Sequence, residues 1–384
     1  MDFRVDEDHV AIVEAIRQVC AGFDDDYWSA CDSEHRFPWE FYKRMAEGGW
    51  VGIALPEQYG GGGQGITEAA IVLREVAASG AAMNGCSALH LTVFGLNPVV
   101  KFGSEKLRSH FLPRAAAGDL HVAFGVTEPD AGTDTSRITT RAEPDGHGGY
   151  VVTGRKIWTT KALESEVVLL LARTSDDGLR GLSLFLADLD PAHVDIRPIP
   201  KMGRNAVASC EVAYDALPVP GWRRIGEEGE GWKYLLHGLN PERILLASES
   251  IGIGEAALRR ATAYAKEREV FGRPIGMNQA IAHPLAHAHV QLGAAWQLAQ
   301  YAAWRYDNGL DCGEAANSAK YLAAEAGFFA ADRAVQTLGG MGYATEYHVE
   351  RYFREARVMR IAPVSQEMTL NYVAQQVLGL PRSY

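Results

Sequence analysis

The chain reads as an α+β protein: an N-terminal α-helical domain, a middle antiparallel β-barrel or small sheet domain, and a C-terminal four-helix bundle. Three observations predict it. Apolar spacing is helical over 1–120, gives way to short β-branched runs over 121–225, and returns to long helical periods over 226–384. The strands cluster without helices between them, which argues against a doubly wound sheet. At 384 residues the chain exceeds one small core and suggests two or three domains.

In the first segment Val10, Val13 and Ile16 fall in one helical period, and 67–78 and 106–116 form two more. The glycine-rich loop 56–63 (PEQYGGGG) separates them. In the middle segment 150–154 (YVVTG), 167–171 (VVLLL) and 182–186 (LSLFL) read as strands. The turns 146–149 (GHGG) and 176–178 (DDG) read as hairpin connections. Four helices follow over 244–268, 285–308, 314–338 and 366–378, each long enough for a bundle.

Composition excludes several classes. The net charge of −11 repels phosphate, so general nucleic-acid binding is disfavoured. The five cysteines are scattered, odd in number and without C-x-x-C spacing, which predicts neither a disulfide framework nor a zinc site and fits a reducing cytoplasm. The first 18 residues read as an acidic amphipathic helix rather than a secretory signal or transit peptide. No apolar run approaches bilayer length, so a soluble, cytoplasmic protein is expected.

Two neighbouring stretches carry chemistry. The loop 124–134 (FGVTEPDAGTD) is rich in backbone donors and hydroxyls, and 154–160 (GRKIWTT) places Trp158 where it could stack on a flat ring. The bland alternative is a surface turn and a core tryptophan. The pair resembles the T-E-P-G-A-G-S-D and W-I-T-N signatures of the acyl-CoA dehydrogenase family. The resemblance implies that Phe124, Val126, Thr127, Trp158 and Thr160 hold the edge of a flavin, and that Thr133 contacts both the FAD phosphates and the CoA. Asp130 and Thr133 stand where the family commonly has Gly and Ser, and Thr159 and Lys161 replace its Ile and Asn.

A second set lies near the C-terminus. Residues 266–272 (KEREVFG), 278–281 (NQAI) and 336–343 (QTLGGMGY) resemble the family's E-R-x-x-F-G, x-Q-A-I and Q-x-x-G-G-x-G-Y segments. Arg268 can pair with a pyrophosphate, and Gly339 and Gly340 let backbone approach it. The family implies that Arg268, Phe271, Gln279, Gln336, Gly339 and Gly340 reach FAD held by a neighbouring subunit, hence a homotetramer built as a dimer of dimers. The resemblance covers nearly the whole chain.

The base is placed by what is missing. Part of the family carries a catalytic glutamate in a segment matching 361–368 (IAPVSQEM), but Pro363 occupies that position and cannot act as a base. The resemblance also implies loss of a backbone N–H that holds the thioester oxygen there. Ser365 and Glu367 remain as expected flavin contacts. The stretch 238–247 (GLNPERILLA) resembles the G-L-D-x-E-R segment of isovaleryl-CoA and long-chain acyl-CoA dehydrogenases and puts the base at Glu242. Asn240 and Arg243 are expected to contact substrate. On local signals alone Asn240 reads as an N-cap, Pro241 as a first helical residue and Glu242 as an acid favoured by the helix dipole, which would lower its pKa in the empty enzyme.

Two further patterns read as structural. Gly252 to Ala257 fit G-x-G-x-x-A, yet they sit inside one continuous helical period and read as close-packing glycines. His283, His287 and His289 lack a further ligand in register and read as helix-surface residues, with no metal expected. The resemblance therefore implies FAD-dependent dehydrogenation of an acyl-CoA to a trans-2-enoyl-CoA, with an electron-transferring flavoprotein as acceptor. The alternatives are an acyl-CoA oxidase or a non-catalytic acyl-CoA-binding subunit.

Overall fold

The structure is a computed structural model that describes residues 6–382. Residues 1–5 of the expected N-terminal helix lie outside the described residues. The helices of the first segment are α1 (Glu7–Cys20), α2 (Asp25–Ser33), α3 (Trp39–Glu47), α4 (Ile66–Val76), α5 (Ala82–Val93), α6 (Asn97–Phe102) and α7 (Glu105–Ala117). Their starts follow local chemistry: the side chain of Asp6 accepts from the Asp8 N–H to cap α1, and Ser104 caps α7 through the Leu107 N–H. Helix α4 is capped from elsewhere. The Asp307 carboxylate accepts from the N–H groups of Ile66 and Thr67 at 2.8 and 2.9 Å.

The strands are β1 (Val122–Gly125), β2 (Arg141–Pro144), β3 (Tyr150–Thr160), β4 (Val167–Arg173), β5 (Leu182–Asp188), β6 (Val194–Pro198), β7 (Ser209–Val219) and β8 (Arg224–Ile225). They form one sheet in the order β6-β7-β3-β2-β4-β5-β8, with β1 also on β4. Most pairings are antiparallel, and the two predicted hairpin turns join β2 to β3 and β4 to β5. The sheet is not wholly antiparallel, because β4 runs parallel to both β1 and β2. The β2–β3 hairpin lies between β1 and β4 in the chain, and it lets β4 return alongside β1 without a crossover helix.

The remaining elements are α8 (Gly231–Glu267), the ribbon β9 (Glu269–Val270) and β10 (Arg273–Pro274), α9 (Gln279–Asp307), α10 (Gly313–Leu338), α11 (Val349–Ala356) and α12 (Gln366–Tyr372). The fourth predicted bundle helix is shorter than expected: α12 passes into a π turn over Val373–Val377. Helix α8 begins at Gly231, so Asn240 is not its cap and Pro241 lies inside it. Packing overrides the local start signal there. Tyr234 and Leu235 are buried, and the Tyr234 ring stacks on Phe102 at 4.3 Å, which holds the extra turns despite the missing proline N–H. No helix among the described residues is long and apolar enough to cross a membrane.

One apolar core runs from α1 through α5 into α8, α9 and α10, so the first helices and the bundle are packed as one body. Glycines bring α8 close to its neighbours on two sides. A Cβ at Gly252 would lie 2.6 Å from the Ala77 Cβ, and one at Gly254 would lie 3.0 Å from the Gly327 Cα on α10. His287 on α9 packs edge-on against Phe329. A Cβ at Gly327 would collide with the Ser250 backbone. Gly327→Ala is therefore expected to destabilise the protein by about 1–3 kcal/mol through overpacking. Urea unfolding of the variant should show it, and an unchanged midpoint would contradict the close crossing.

Candidate active site

Glu242 sits in the fourth turn of α8, on the wall of a narrow cavity between α5, α6, β1 and α8. His90, Phe94, Pro98, Phe124, Leu239 and Glu242 are among the residues lining it. The wall is largely apolar, and Glu242 is its one carboxylate among the described residues. The helix-dipole expectation is overturned. Burial pushes the Glu242 pKa up, while the charges of His90 and Arg243 oppose that rise and Glu249 reinforces it. The helix begins eleven residues earlier in the chain, so its N-terminal N–H groups are not at the carboxylate.

The expected substrate pair adjoins this point. Arg243 donates through Nη1 to the Asn240 Oδ1 at 2.9 Å, and its Nε is buried without a partner. Glu367 is not among the residues lining the cavity. It is exposed in the first turn of α12, where hydrogen bonds from its own N–H and from Ser365 hold its carboxyl below the ordinary range. Ser365 caps that helix through the Met368 N–H. The loop before it is held by Lys320, whose Nζ donates to the Val364 carbonyl at 2.6 Å.

The two sequence stretches around Trp158 meet in space. The β3–β7 register shifts between Lys156 and Thr159, and Trp158 takes a φ of 61° at that bulge. Its indole is 53% exposed. Lys156 points the other way and is fully buried, donating through Nζ to the Val126 carbonyl at 3.0 Å and to Glu128 at 2.9 Å. The Ile157 N–H donates to the Thr127 carbonyl at 2.8 Å. Glu128 also accepts from the N–H groups of Thr139 and Thr140 and from the Thr139 hydroxyl. Burial alone would raise the Glu128 pKa; the Lys156 charge and these hydrogen bonds outweigh it and bring it down to about 2.

This arrangement fits a flavin. Val126 and Thr127 are tied beside the exposed Trp158 indole, and the hydroxyls of Thr127 and Thr133 make no hydrogen bond to the described residues. Phe124, just before them, belongs to the same wall as Glu242. Thr160 accepts from Arg204 at 2.9 Å. An aromatic face with unpaired hydroxyls and backbone groups suits a flat polar heterocycle.

The second predicted set is not at this cavity. Arg268 follows α8, and Phe271 and Gly272 form the two-residue β9–β10 turn with φ of 56° and 76°. Phe271 is completely exposed. Gln279 opens α9, Gln336 lies in the last turn of α10, and Gly339 and Gly340 follow it on the exposed surface.

Sequence reasoning missed several groups. His90 donates through Nδ1 to the Glu249 carboxylate at 2.8 Å, and Glu249 is fully buried. Glu249 lies seven residues after Glu242, which on a helix is the same face two turns on; that spacing was the available signal. Lys156 and Glu128 lay inside the quoted motifs, but nothing in the sequence paired them.

Family models of the acyl-CoA dehydrogenase N-terminal, middle and C-terminal domains match residues 6–119, 123–217 and 229–378. The chain is 38% identical to the acyl-CoA dehydrogenase FadE12 of Mycobacterium tuberculosis, with 98% of each chain covered. Among solved structures, a glutaryl-coenzyme A dehydrogenase in complex with glutaryl-CoA matches at 30% identity with a TM-score of 0.93, covering 99% of this chain and 98% of that one. The FAD complex of PigA matches at 25% identity with a TM-score of 0.92, covering 99% of this chain and all of that one.

The Lys156–Glu128 pair makes a test of its own. Lys156→Met strands a buried carboxylate and is expected to cost about 3–5 kcal/mol of stability. Thermal or denaturant unfolding that matches the parent would show that the pair does not anchor the loop.

Proposed function

The chain belongs to the acyl-CoA dehydrogenase family, a family of FAD-dependent oxidoreductases, and on that premise we propose that it converts an acyl-CoA thioester to a trans-2-enoyl-CoA with Glu242 as the base. The observation that carries the reading is one half-buried carboxylate, its pKa raised, on an apolar wall shared with Phe124, the first residue of the flavin loop.

The chain's own residues divide the work. Glu242 takes the proton from the carbon next to the thioester carbonyl, and its burial makes the carboxylate a stronger base than one in water. The apolar wall excludes water from that transfer. Arg243 and Asn240 position substrate beside it. Phe124, Val126, Thr127, Trp158 and Thr160 would hold the flavin ring edge, with Ser365 and Glu367 as further contacts and Thr133 between the FAD phosphates and the CoA. FAD supplies the hydride acceptor. Pro363 cannot donate an N–H to the thioester oxygen, so either a neighbouring N–H serves or the oxygen is held more weakly.

The exposed set at Arg268, Phe271, Gln279, Gln336, Gly339 and Gly340 would complete the FAD site of a second copy of the chain, in a homotetramer. Electrons would then leave to an electron-transferring flavoprotein. The test is direct. Glu242→Gln should purify yellow, with normal flavin content, and lose flavin reduction by acyl-CoA by at least about 10²-fold under anaerobic conditions. Reduction at the parent rate would refute Glu242 as the base.

A further inference from the structure

The cavity carries a second titratable side chain that the proposed chemistry does not use. His90 projects from α5 onto the wall shared with Glu242. Its Nδ1 is engaged by Glu249 Oε1 at 2.8 Å, and its Nε2 has no hydrogen-bond partner among the described residues. Glu249 has no exposed surface, and its Oε2 has no hydrogen-bond partner among the described residues. A buried carboxylate with a single protein partner is costly unless that partner is a cation. The pair therefore favours the imidazolium.

On the reading that Glu242 is the base, we propose that His90, held by Glu249, is a positioning residue for it: the ring keeps the Glu242 carboxylate ionised in a cavity whose walls favour the neutral acid. Burial would strip the His90 proton, but the charge and hydrogen bond of Glu249, with Glu242 adding to them, outweigh burial and raise its pKa. The other charges nearby are few. Arg204, from the loop before β7, opposes the His90 cation and lies in the fields of Glu249 and of Glu355 from α11. Arg243 stands beside Glu242 on α8, and the Cys86 thiol of α5, itself pushed up by burial, faces Glu249.

The sign follows. The His90 charge favours the Glu242 anion, as that of Arg243 does, and Glu249 opposes it. Removing the ring leaves burial and Glu249 unopposed except by Arg243, so the Glu242 pKa rises further. The carboxylate must be ionised to take a proton, so the fraction of competent enzyme falls as pH drops through that value.

The experiment is stopped-flow anaerobic flavin reduction of the holoenzyme across pH, with the fastest acyl-CoA of a panel from butyryl-CoA to palmitoyl-CoA. His90→Asn should move the acid limb up by about one unit, an approximately tenfold slower rate below it, with the high-pH plateau retained. His90→Asn leaves Glu249 unpaired, so His90→Asn with Glu249→Gln provides a variant free of the stranded charge. Its limb should also move up, by less. Limbs coincident with the parent in whichever of these variants fold would overturn the proposal, even with lower flavin content or melting temperature, since those changes mark a purely structural pair. If Glu242→Gln itself reduces flavin normally, the base assignment fails instead, and the two failures are distinct.

Discussion

Helix α8 has to pass between two layers of helices at backbone contact. Gly252 meets α4 and the turn after it, Gly254 meets α10, and Gly327 on α10 returns the approach from the other side. Larger side chains at these points would push the layers apart, and with them the cavity between α5, α6, β1 and α8. Polar groups on the same helix complete the fit: Glu255 pairs with Arg74 of α4, and Arg260 pairs with Asp25 of α2. The position of Glu242 is thus set by packing along the whole helix rather than by its end. An acid at a frayed, solvated helix start would keep an ordinary pKa. An acid in the fourth turn, against Phe94 and Leu239, does not.

The site then has a charge problem with two solutions side by side. Glu128 is buried in the 124–134 loop and is satisfied completely, by Lys156 and by N–H and hydroxyl donors, so it stays ionised and structural. Glu242 has no hydrogen-bond partner of that kind among the described residues, and its opposing charges act through space. Saturating a carboxylate with donors fixes it as an anion and removes its basicity; leaving it desolvated keeps it able to take a proton. The same residue type serves as an anchor at one position and as a candidate base at the other, and the difference lies in the number of donors each is given.

The sequence was most legible where the period was clean or the turn chemistry local. Strands 167–171 and 182–186, the two hairpin turns and the long bundle helices could be read directly. Helix α5 could not, since nearly every residue in it is buried and no polar face marks its period. The start of α8 was misread because Asn240-Pro241-Glu242 imitates a helix N-terminus, while the buried Tyr234 and Leu235 decide where the helix begins. The parallel pairing of β1 with β4 joins strands some forty residues apart and leaves no local trace. The catalytic candidate was legible by resemblance, but its neighbour His90 was not, because 159 residues separate it from Glu249.

The exposed second set completes the logic of the fold. A phenyl ring is ordinarily worth about 1.5–3 kcal/mol when buried, yet Phe271 is held at the tip of the β9–β10 turn with its whole surface exposed. The turn is not floppy in composition: the Phe271-Gly272 pair adopts the left-handed backbone of a tight hairpin, a conformation that costs a bulky residue energy. Arg268 on the same ribbon and Gly339-Gly340 after α10 offer what an anionic group would need there, a cation and open backbone. Within one chain these residues stay at the exposed surface. Placed against the FAD of another copy they would acquire a ligand, and each flavin would then be enclosed by two chains, with Glu242 supplied by one and Arg268 by the other.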